Sequence, residues 1–282
     1  MKSFLVITNI AKDIGMKLTD AIKEYIDAHG GECRTIPYKL DRNENYHMSE
    51  YGDVDCIIVI GGDGTILQVA RDVAGKDIPL LGVNLGTLGF LAEVEPEHIE
   101  EALSRLMADD YEVQPRMMLQ GKVISSGGFE RSISPALNDI TIARNGSLQI
   151  IRFSVYVNGE YLCDYSADGM IVATPTGSTG YNMSAGGPIV QPGASMMVLT
   201  PICAHNMNTR SIVLRATDTI EIVMGTGRDG QDINVEASAD GSESMTVKTG
   251  EKIVINKSEN TALMVKINNE SFVQKLHKKM SE

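Results

Sequence analysis

No stretch of this 282-residue chain is apolar enough to cross a membrane. The longest apolar runs, residues 56–60 and 78–83, fall far short of the roughly 18 residues a spanning helix needs. The first seven residues lead straight into a strand-like segment without the small-residue cleavage site of a signal peptide, so the expected location is the cytoplasm. Cysteine is scarce: Cys33, Cys56, Cys163 and Cys203 form no C-x-x-C pair. That spacing argues against a zinc site or a disulfide framework and for buried, reduced thiols. The five histidines are equally scattered, which leaves no preformed histidine-rich metal site. Positive charge is also short. Lysine and arginine number 25 against 37 aspartates and glutamates, a formal net charge of -12 that opposes nucleic acid and any polyanionic small substrate alike. A chain of this charge that handles phosphates must do so with local backbone N–H groups, helix N-termini and a divalent cation.

What is present is ordinary for a folded protein, with 43% hydrophobic and 22% charged residues, so disorder of the whole chain is excluded. Residues 4–8 read as a β-rich strand, and Ile14, Leu18, Ile22 and Ile26 follow at helical spacing until Gly30-Gly31 stops them. Residues 33–37 read as a short second strand. The continuous apolar run 56–60 has the pattern of a parallel strand covered on both faces; a glycine-rich turn and an amphipathic segment near 66–74 follow it. Residues 78–84 repeat the strand signal, and Pro96-Glu97 opens a helix carrying Ile99, Leu103 and Leu106 on one face. From about Tyr111 the rhythm changes to strands separated by turn clusters: Ser125-Ser126-Gly127-Gly128, Asn158-Gly159, Arg228-Asp229-Gly230 and Asp240-Gly241. The spacing therefore predicts an α/β domain over 1–108, a mainly β domain over 109–269, and a C-terminal helix over 270–282 that packs back on the first, with its lysines as a solvated face.

Three segments carry chemistry. Gly61-Gly62-Asp63-Gly64-Thr65 lies between an apolar strand and a helix beginning near Ile66. Its glycines permit positive φ and let backbone N–H groups approach phosphate oxygens. Asp63 either projects toward a ligand at the carboxyl end of a parallel strand or caps the following helix. In the second segment, Asn84-Leu85-Gly86-Thr87-Leu88-Gly89-Phe90-Leu91, Phe90 either stacks on a base or belongs to the core. The third runs from Asp168-Gly169 through Thr174-Pro175-Thr176-Gly177-Ser178-Thr179-Gly180-Tyr181 and on into Asn182-Met183-Ser184-Ala185-Gly186-Gly187-Pro188. Its hydroxyls suit phosphates or base edges and Tyr181 offers a stacking plane; small residues at helical spacing either let the next helix approach a ligand or pack it on a sheet. Asn138-Asp139, at a strand start, either presents an amide and a carboxylate to a ribose or base, or simply forms a turn.

Together these segments resemble the NAD kinase family: its GGDGT motif at 61–65, its NxGxxGFL turn at 84–91, its Asn-Glu/Asp pair at 138–139, and its DG and TPTGST-x-Y segment at 168–181. GGDGT alone is shared with diacylglycerol and sphingosine kinases; the 174–181 segment is what singles out the family. The resemblance implies an N-terminal Rossmann-like α/β domain, a C-terminal β-sandwich domain, NAD between them, and a homodimer or homotetramer. It implies Asp63 as the catalytic residue beside the acceptor ribose, and donor phosphates on Gly61, Gly62, Gly64 and Thr65. Phe90, Thr176, Thr179 and Gly180 would surround the adenine, Asn138 and Asp139 would hold the adenosine and a ribose, and Tyr181 and Ser184 would lie along the dinucleotide. Asp168 would reach the nicotinamide of NAD bound to a neighbouring subunit. Departures are Gly180 where alanine is commoner, which loosens the adenine pocket, Asp139 for the frequent glutamate, and Ser166-Ala167 where some members have an arginine.

The implied activity is phosphoryl transfer from ATP, carried with Mg²⁺, to the adenosine-ribose 2′-hydroxyl of NAD. An aspartate is too weak a base to remove that proton beforehand, so Asp63 would orient the hydroxyl and accept its proton late. The rivals are a lipid kinase built on the same turn, against which stands the lack of an amphipathic membrane-binding segment, and a dinucleotide sensor that binds without turnover.

Overall fold

Three short apolar segments are buried at nearly every residue, which a strand permits only when both of its faces are covered. They are β1 (Ser3–Asn9), β3 (Cys56–Gly61) and β4 (Leu80–Asn84). The computed structural model describes residues 1–38, 51–86, 89–146, 150–205, 210–227, 230–242 and 244–281. It divides into two units, Met1–Arg116 with Thr261–Glu282, and Met117–Asn260.

In the first unit β2 (Glu32–Tyr38) pairs with one edge of β1 and β3 with the other; β4 and the end of the last strand, β16 (Lys252–Lys266), extend the sheet in the order β2-β1-β3-β4-β16, all parallel. The chain thus leaves β1 in one direction and returns on its other side. This makes the carboxyl ends of β1 and β3 a topological switch point, the place where open parallel sheets bind ligands. Helices α1 (Lys17–Ala28), α2 (Asp63–Asp72) and α3 (Ile99–Met107) cover the sheet; Ile22, Ile26, Leu103 and Leu106 pack with Phe4, Val6 and Ile58 in one core.

The α1 periodicity begins one turn late. Ile14 is 80% exposed in a 3-10 turn, because Gly15 (φ 73) and Met16 (φ 53) leave the helical path there. Helix α2 begins earlier than the apolar pattern suggested, at Asp63, since its first turn is polar.

The second unit packs two antiparallel sheets face to face. One has the order β12-β11-β10-β7-β14-β15. Its strands are β7 (Asp139–Arg144), β10 (Gly169–Ala173), β11 (Met196–Ile202), β12 (Ile212–Arg215), β14 (Asn234–Ala239) and β15 (Ser244–Lys248). The other joins the first part of β16 to β13 (Ile220–Met224), β8 (Ile151–Val157) and β9 (Glu160–Ala167), and β5 (Glu112–Ile124) pairs with β6 (Glu130–Ala136). Ile140, Met170, Leu199 and Val235 from one sheet meet Phe153, Val155, Ile220 and Ile255 from the other in a single core. Asn158 (φ 53) and Gly159 (φ 80) make the tight β8–β9 turn, as their type suggests. Ser125 to Gly128 link β5 and β6, and Asp240-Gly241 follow β14. Arg228 and Asp229 of the remaining turn cluster lie outside the described residues.

Burial pushes the Cys33 and Cys56 thiols up to about 11 and about 12, so both stay protonated. The other two cysteines depart from expectation: Cys163 is half-buried on β9, and Cys203 is exposed just past β11. No described helix is long and apolar enough to cross a membrane.

The C-terminal helix, α5 (Phe272–Ser281), is held by Glu93, whose side chain is 6% exposed. One Glu93 oxygen accepts from Lys266 Nζ at 3.1 Å and from the N–H groups of Ile267 (3.0 Å) and Asn268 (2.9 Å); the other accepts from Lys275 Nζ at 3.1 Å. Lys275 is therefore not part of a solvated face. Glu93→Ala should cost about 3 kcal/mol, because it leaves two half-buried ammonium groups and two N–H donors without their acceptor; an unchanged urea midpoint would show that α5 does not depend on this anchor.

Candidate functional site

The glycine turn of the first unit caps the switch point, and its glycines are there for room rather than for positive φ. None of Gly61, Gly62 and Gly64 adopts a positive φ. A Cβ on Gly61 would stand 2.6 Å from Thr65 Oγ1, and one on Gly62 2.6 Å from Lys12 Nζ, whereas Gly64 faces open space. Gly62 is the N-cap of α2, so the first N–H groups of that helix lie in the turn. Thr65 is buried and accepts from Asn9 Nδ2 at 3.3 Å, tying the ends of β1 and β3 together.

Asp63 does not cap its own helix. Its carboxylate crosses to the neighbouring turn and accepts from the N–H groups of Phe90 (2.9 Å) and Leu91 (3.3 Å), and Gly89 is the glycine that makes room for it. Leu85 N–H reaches back to Gly61 O at 2.7 Å. Thus the 61–65 and 84–91 segments form one layer; Thr87 and Leu88 lie outside the described residues. Phe90 is half-buried, with its ring 6.3 Å from that of Phe272 on α5. A cavity of about 390 Å³ elsewhere in this unit is lined by Glu93, Glu270, Lys275 and Lys278, which pair with one another.

In the second unit the end of β10 turns through a 3-10 segment (Thr176–Thr179) into a single helical turn, α4 (Tyr181–Ser184), shorter than the small-residue pattern suggested. Thr174 Oγ1 joins this loop to the 137–139 segment: it donates to Leu137 O at 2.6 Å and accepts from Gly177 N–H at 3.0 Å, while Thr174 N–H donates to Asn138 O at 2.8 Å. Gly177 abuts Asn138; a Cβ there would fall 2.0 Å from Asn138 O.

Two residues that sequence reasoning passed over hold this arrangement. Asn182, wholly buried, donates to Ser178 O and Pro188 O and accepts from Thr200 Oγ1 at 2.7 Å. Asp240, noticed only as a turn former, accepts from the N–H groups of Leu137 (2.9 Å), Asn138 (2.7 Å) and Asp139 (3.1 Å). Only its distance of about 100 residues in sequence hid it.

The result is a cavity of about 310 Å³ lined by Asn138, Asp139, Thr141, Tyr181, Asp240 and Gly241. Beside it two buried polar atoms have no partner, Asn138 Oδ1 and Thr176 Oγ1, the latter on a side chain only 5% exposed. Such atoms are costly unless a ligand or water satisfies them. Thr179 is half-buried and Tyr181 and Ser184 are exposed. Gly180 is not as loose as its missing methyl suggests: a Cβ would already stand 3.3 Å from Asn138 Nδ2. Asp168 stays apart at the opposite end of β10, paired with Arg144 of β7 (Nε to Oδ1, 3.1 Å).

Asp139 is 5% exposed and its acid is pushed up to about 6, first by burial, with the Thr141 hydroxyl (2.8 Å) pulling it back and the Asp240 carboxylate adding to the rise.

Residues 8–111 match the family model for the ATP-NAD kinase N-terminal domain and residues 137–267 that for its C-terminal domain. The chain belongs to the NAD kinase family. Among its relatives, a protein named NAD kinase from Agathobacter rectalis is 45% identical over 99% of both chains, and one from Lachnospira eligens is 43% identical over 99% of this chain and all of its own. Similar solved structures are an Archaeoglobus fulgidus NAD kinase in complex with ATP (TM-score 0.77, 26% identity, 99% of this chain and 97% of that one) and a yeast NADH kinase complexed with NADH (TM-score 0.88, 21% identity, 99% and 88%). The family fold, an α/β domain followed by a β-sandwich, is the one described above.

Because the folded protein holds the Asp139 proton up to about pH 6 and the unfolded chain releases it near its ordinary value of 3.8, stability falls as pH rises through that window and stays lower above it. Asp139→Asn should therefore stabilise the protein at pH 7.5 by about 2 kcal/mol and give no gain at pH 4; urea midpoints at the two values check the difference. Gly177→Ala should lower the melting temperature sharply, with its Cβ driven into the Asn138 backbone, while Gly180→Ala should leave it within a few degrees of wild type.

Proposed function

We propose that this chain transfers the γ-phosphoryl group of ATP to the 2′-hydroxyl of the adenosine ribose of NAD, giving NADP and ADP. The observation that carries this is the pair of unsatisfied buried acceptors, Thr176 Oγ1 and Asn138 Oδ1, beside buried Asp139 in a chain of this family. Both atoms have hydrogen-bonding capacity left for a base and a sugar. Thr176, Thr179 and Gly180 take the adenine edge, Asn138 and Asp139 the adenosine hydroxyls, and exposed Tyr181 and Ser184 the dinucleotide's length. Phe90 is a supporting contact for the glycine layer.

The donor phosphates lie on Gly61, Gly62, Gly64 and Thr65, where Gly64 leaves open space at the start of α2. In the step itself the 2′-oxygen forms a bond to the γ-phosphorus and the bond to the β,γ-bridging oxygen breaks, its electron pair leaving with ADP. The hydroxyl proton passes to Asp63. Mg²⁺ carried on the donor phosphates would neutralise their charge. Asp168, paired with Arg144 at the opposite end of β10, serves NAD on a second subunit of a homodimer or homotetramer.

The test is NADP formation from NAD, ATP and Mg²⁺, read through an NADP-specific dehydrogenase. Asp63→Asn keeps an acceptor for Phe90 N–H, so the fold should persist while kcat falls by roughly 10²-fold or more and the KM for NAD stays near wild type. A near-normal kcat would remove Asp63 from the mechanism, and NAD binding without any turnover in the wild type would leave a dinucleotide sensor in place of a kinase.

A further inference from the structure

Lys12 belongs to none of the motifs above, yet the turn that leaves β1 fixes its position. Asn9 O accepts from the N–H groups of Lys12 (2.9 Å) and Asp13 (3.0 Å), and Asn9 Oδ1 accepts from Ala11 N–H at 3.1 Å. Asn9 is tied in turn to Thr65 of the glycine turn. On the other side, buried Asp13 accepts from the N–H groups of Leu18 and Thr19 and from the Thr19 hydroxyl. The lysine backbone is thereby pinned at the carboxyl end of β1, next to β3.

From there the ammonium lies over two glycines of the site. A Cβ on Gly62 would stand 2.6 Å from Lys12 Nζ, and one on Gly86 3.1 Å. Gly62 has φ −115° and ψ −177°, extended backbone that any residue adopts, so its glycine contributes room and not conformation. Among the described residues Nζ has neither an ion pair nor a hydrogen bond. Asp63, the carboxylate in the turn, is committed to Phe90 and Leu91. Lys12 is exposed, and Nζ sits unpaired beside the N-terminal end of α2, where an anion lying between the ammonium and the helix would be attracted by both. Gly86 is itself held by Asn84, 7% exposed, whose amide donates to Gly86 O at 3.2 Å; its buried, unpartnered Oδ1 belongs to a residue that lines the Glu93 cavity.

We propose that Lys12 is a catalytic ligand of the phosphoryl donor, its ammonium binding the terminal phosphate oxygens of a nucleoside triphosphate on the 61–65 turn. The assignment rests on the kinase function proposed above and adds to it the residue that supplies positive charge locally in a chain whose net charge is -12. As the γ-phosphorus moves from the bridging oxygen to the 2′-oxygen, negative charge gathers on the departing diphosphate. Lys12 stabilises that charge and keeps its own proton throughout.

The experiment compares wild type, Lys12→Met and Lys12→Arg in initial-rate kinetics and in calorimetric titration with inorganic tripolyphosphate, with thermal melting to confirm the fold. Lys12→Met should raise the KM for ATP and lower kcat by about tenfold or more each and weaken tripolyphosphate binding to a similar degree. The KM for NAD and the melting temperature should not move. Lys12→Arg, which keeps the charge, should recover most of the donor affinity. Wild-type donor KM and tripolyphosphate affinity in Lys12→Met would overturn the assignment, as would a wild type that does not bind tripolyphosphate. A wild type that binds tripolyphosphate but forms no NADP would instead refute the kinase function, and the titrations alone would then decide Lys12.

Discussion

In each unit the site depends on one aspartate that collects the backbone N–H groups of a loop distant in sequence. Asp63 takes those of Phe90 and Leu91, and Asp240 those of Leu137, Asn138 and Asp139. Loop N–H groups brought near a core have no ladder to satisfy them, and each left unpaired would cost on the order of 1–3 kcal/mol. A carboxylate, which only accepts, answers several of them at once and holds the loop in one place. Each clamp thus fixes the loop of its own unit.

The clamps also explain where charge is tolerated. Asp240 accepts from three backbone N–H groups, whereas Asp139 beside it has one hydroxyl and deep burial, and burial pushes Asp139 toward its protonated form. A buried, easily protonated acid, an unsatisfied threonine hydroxyl and an unsatisfied amide oxygen in neighbouring segments each cost stability in the protein alone. The glycines show the same division. Gly61, Gly62, Gly89 and Gly177 each leave space for a specific neighbour, namely Thr65, Lys12, Asp63 and Asn138, while Gly64 leaves space for nothing in the protein.

Much of the fold was legible because burial patterns are local. The all-buried runs of β1, β3 and β4, the helical spacing of Ile22 and Ile26 and the Asn158-Gly159 turn each follow from residues a few positions apart. Errors arose where local and tertiary signals part. The apolar position of Ile14 looked helical, but Gly15 and Met16 take positive φ; Cys203 looked like a core residue by composition and is exposed. The 61–64 glycines permit positive φ, but none adopts it; Gly61 and Gly62 instead make room for Thr65 and Lys12.

The sequence by itself determined the strand and helix periods, the glycine turns, the excess of negative charge and the motif order that marks the family, since each is carried by neighbouring residues. Only the tertiary structure decided that Asp63 reaches across to Phe90 and Leu91, that Asp240 holds the Asn138-Asp139 pair, that Asn182 braces the 174–181 loop, and that Lys12 lies over Gly62. Those contacts join segments up to about 100 residues apart, and hydrogen bonds of that reach are set by strand order and register, which no local pattern encodes.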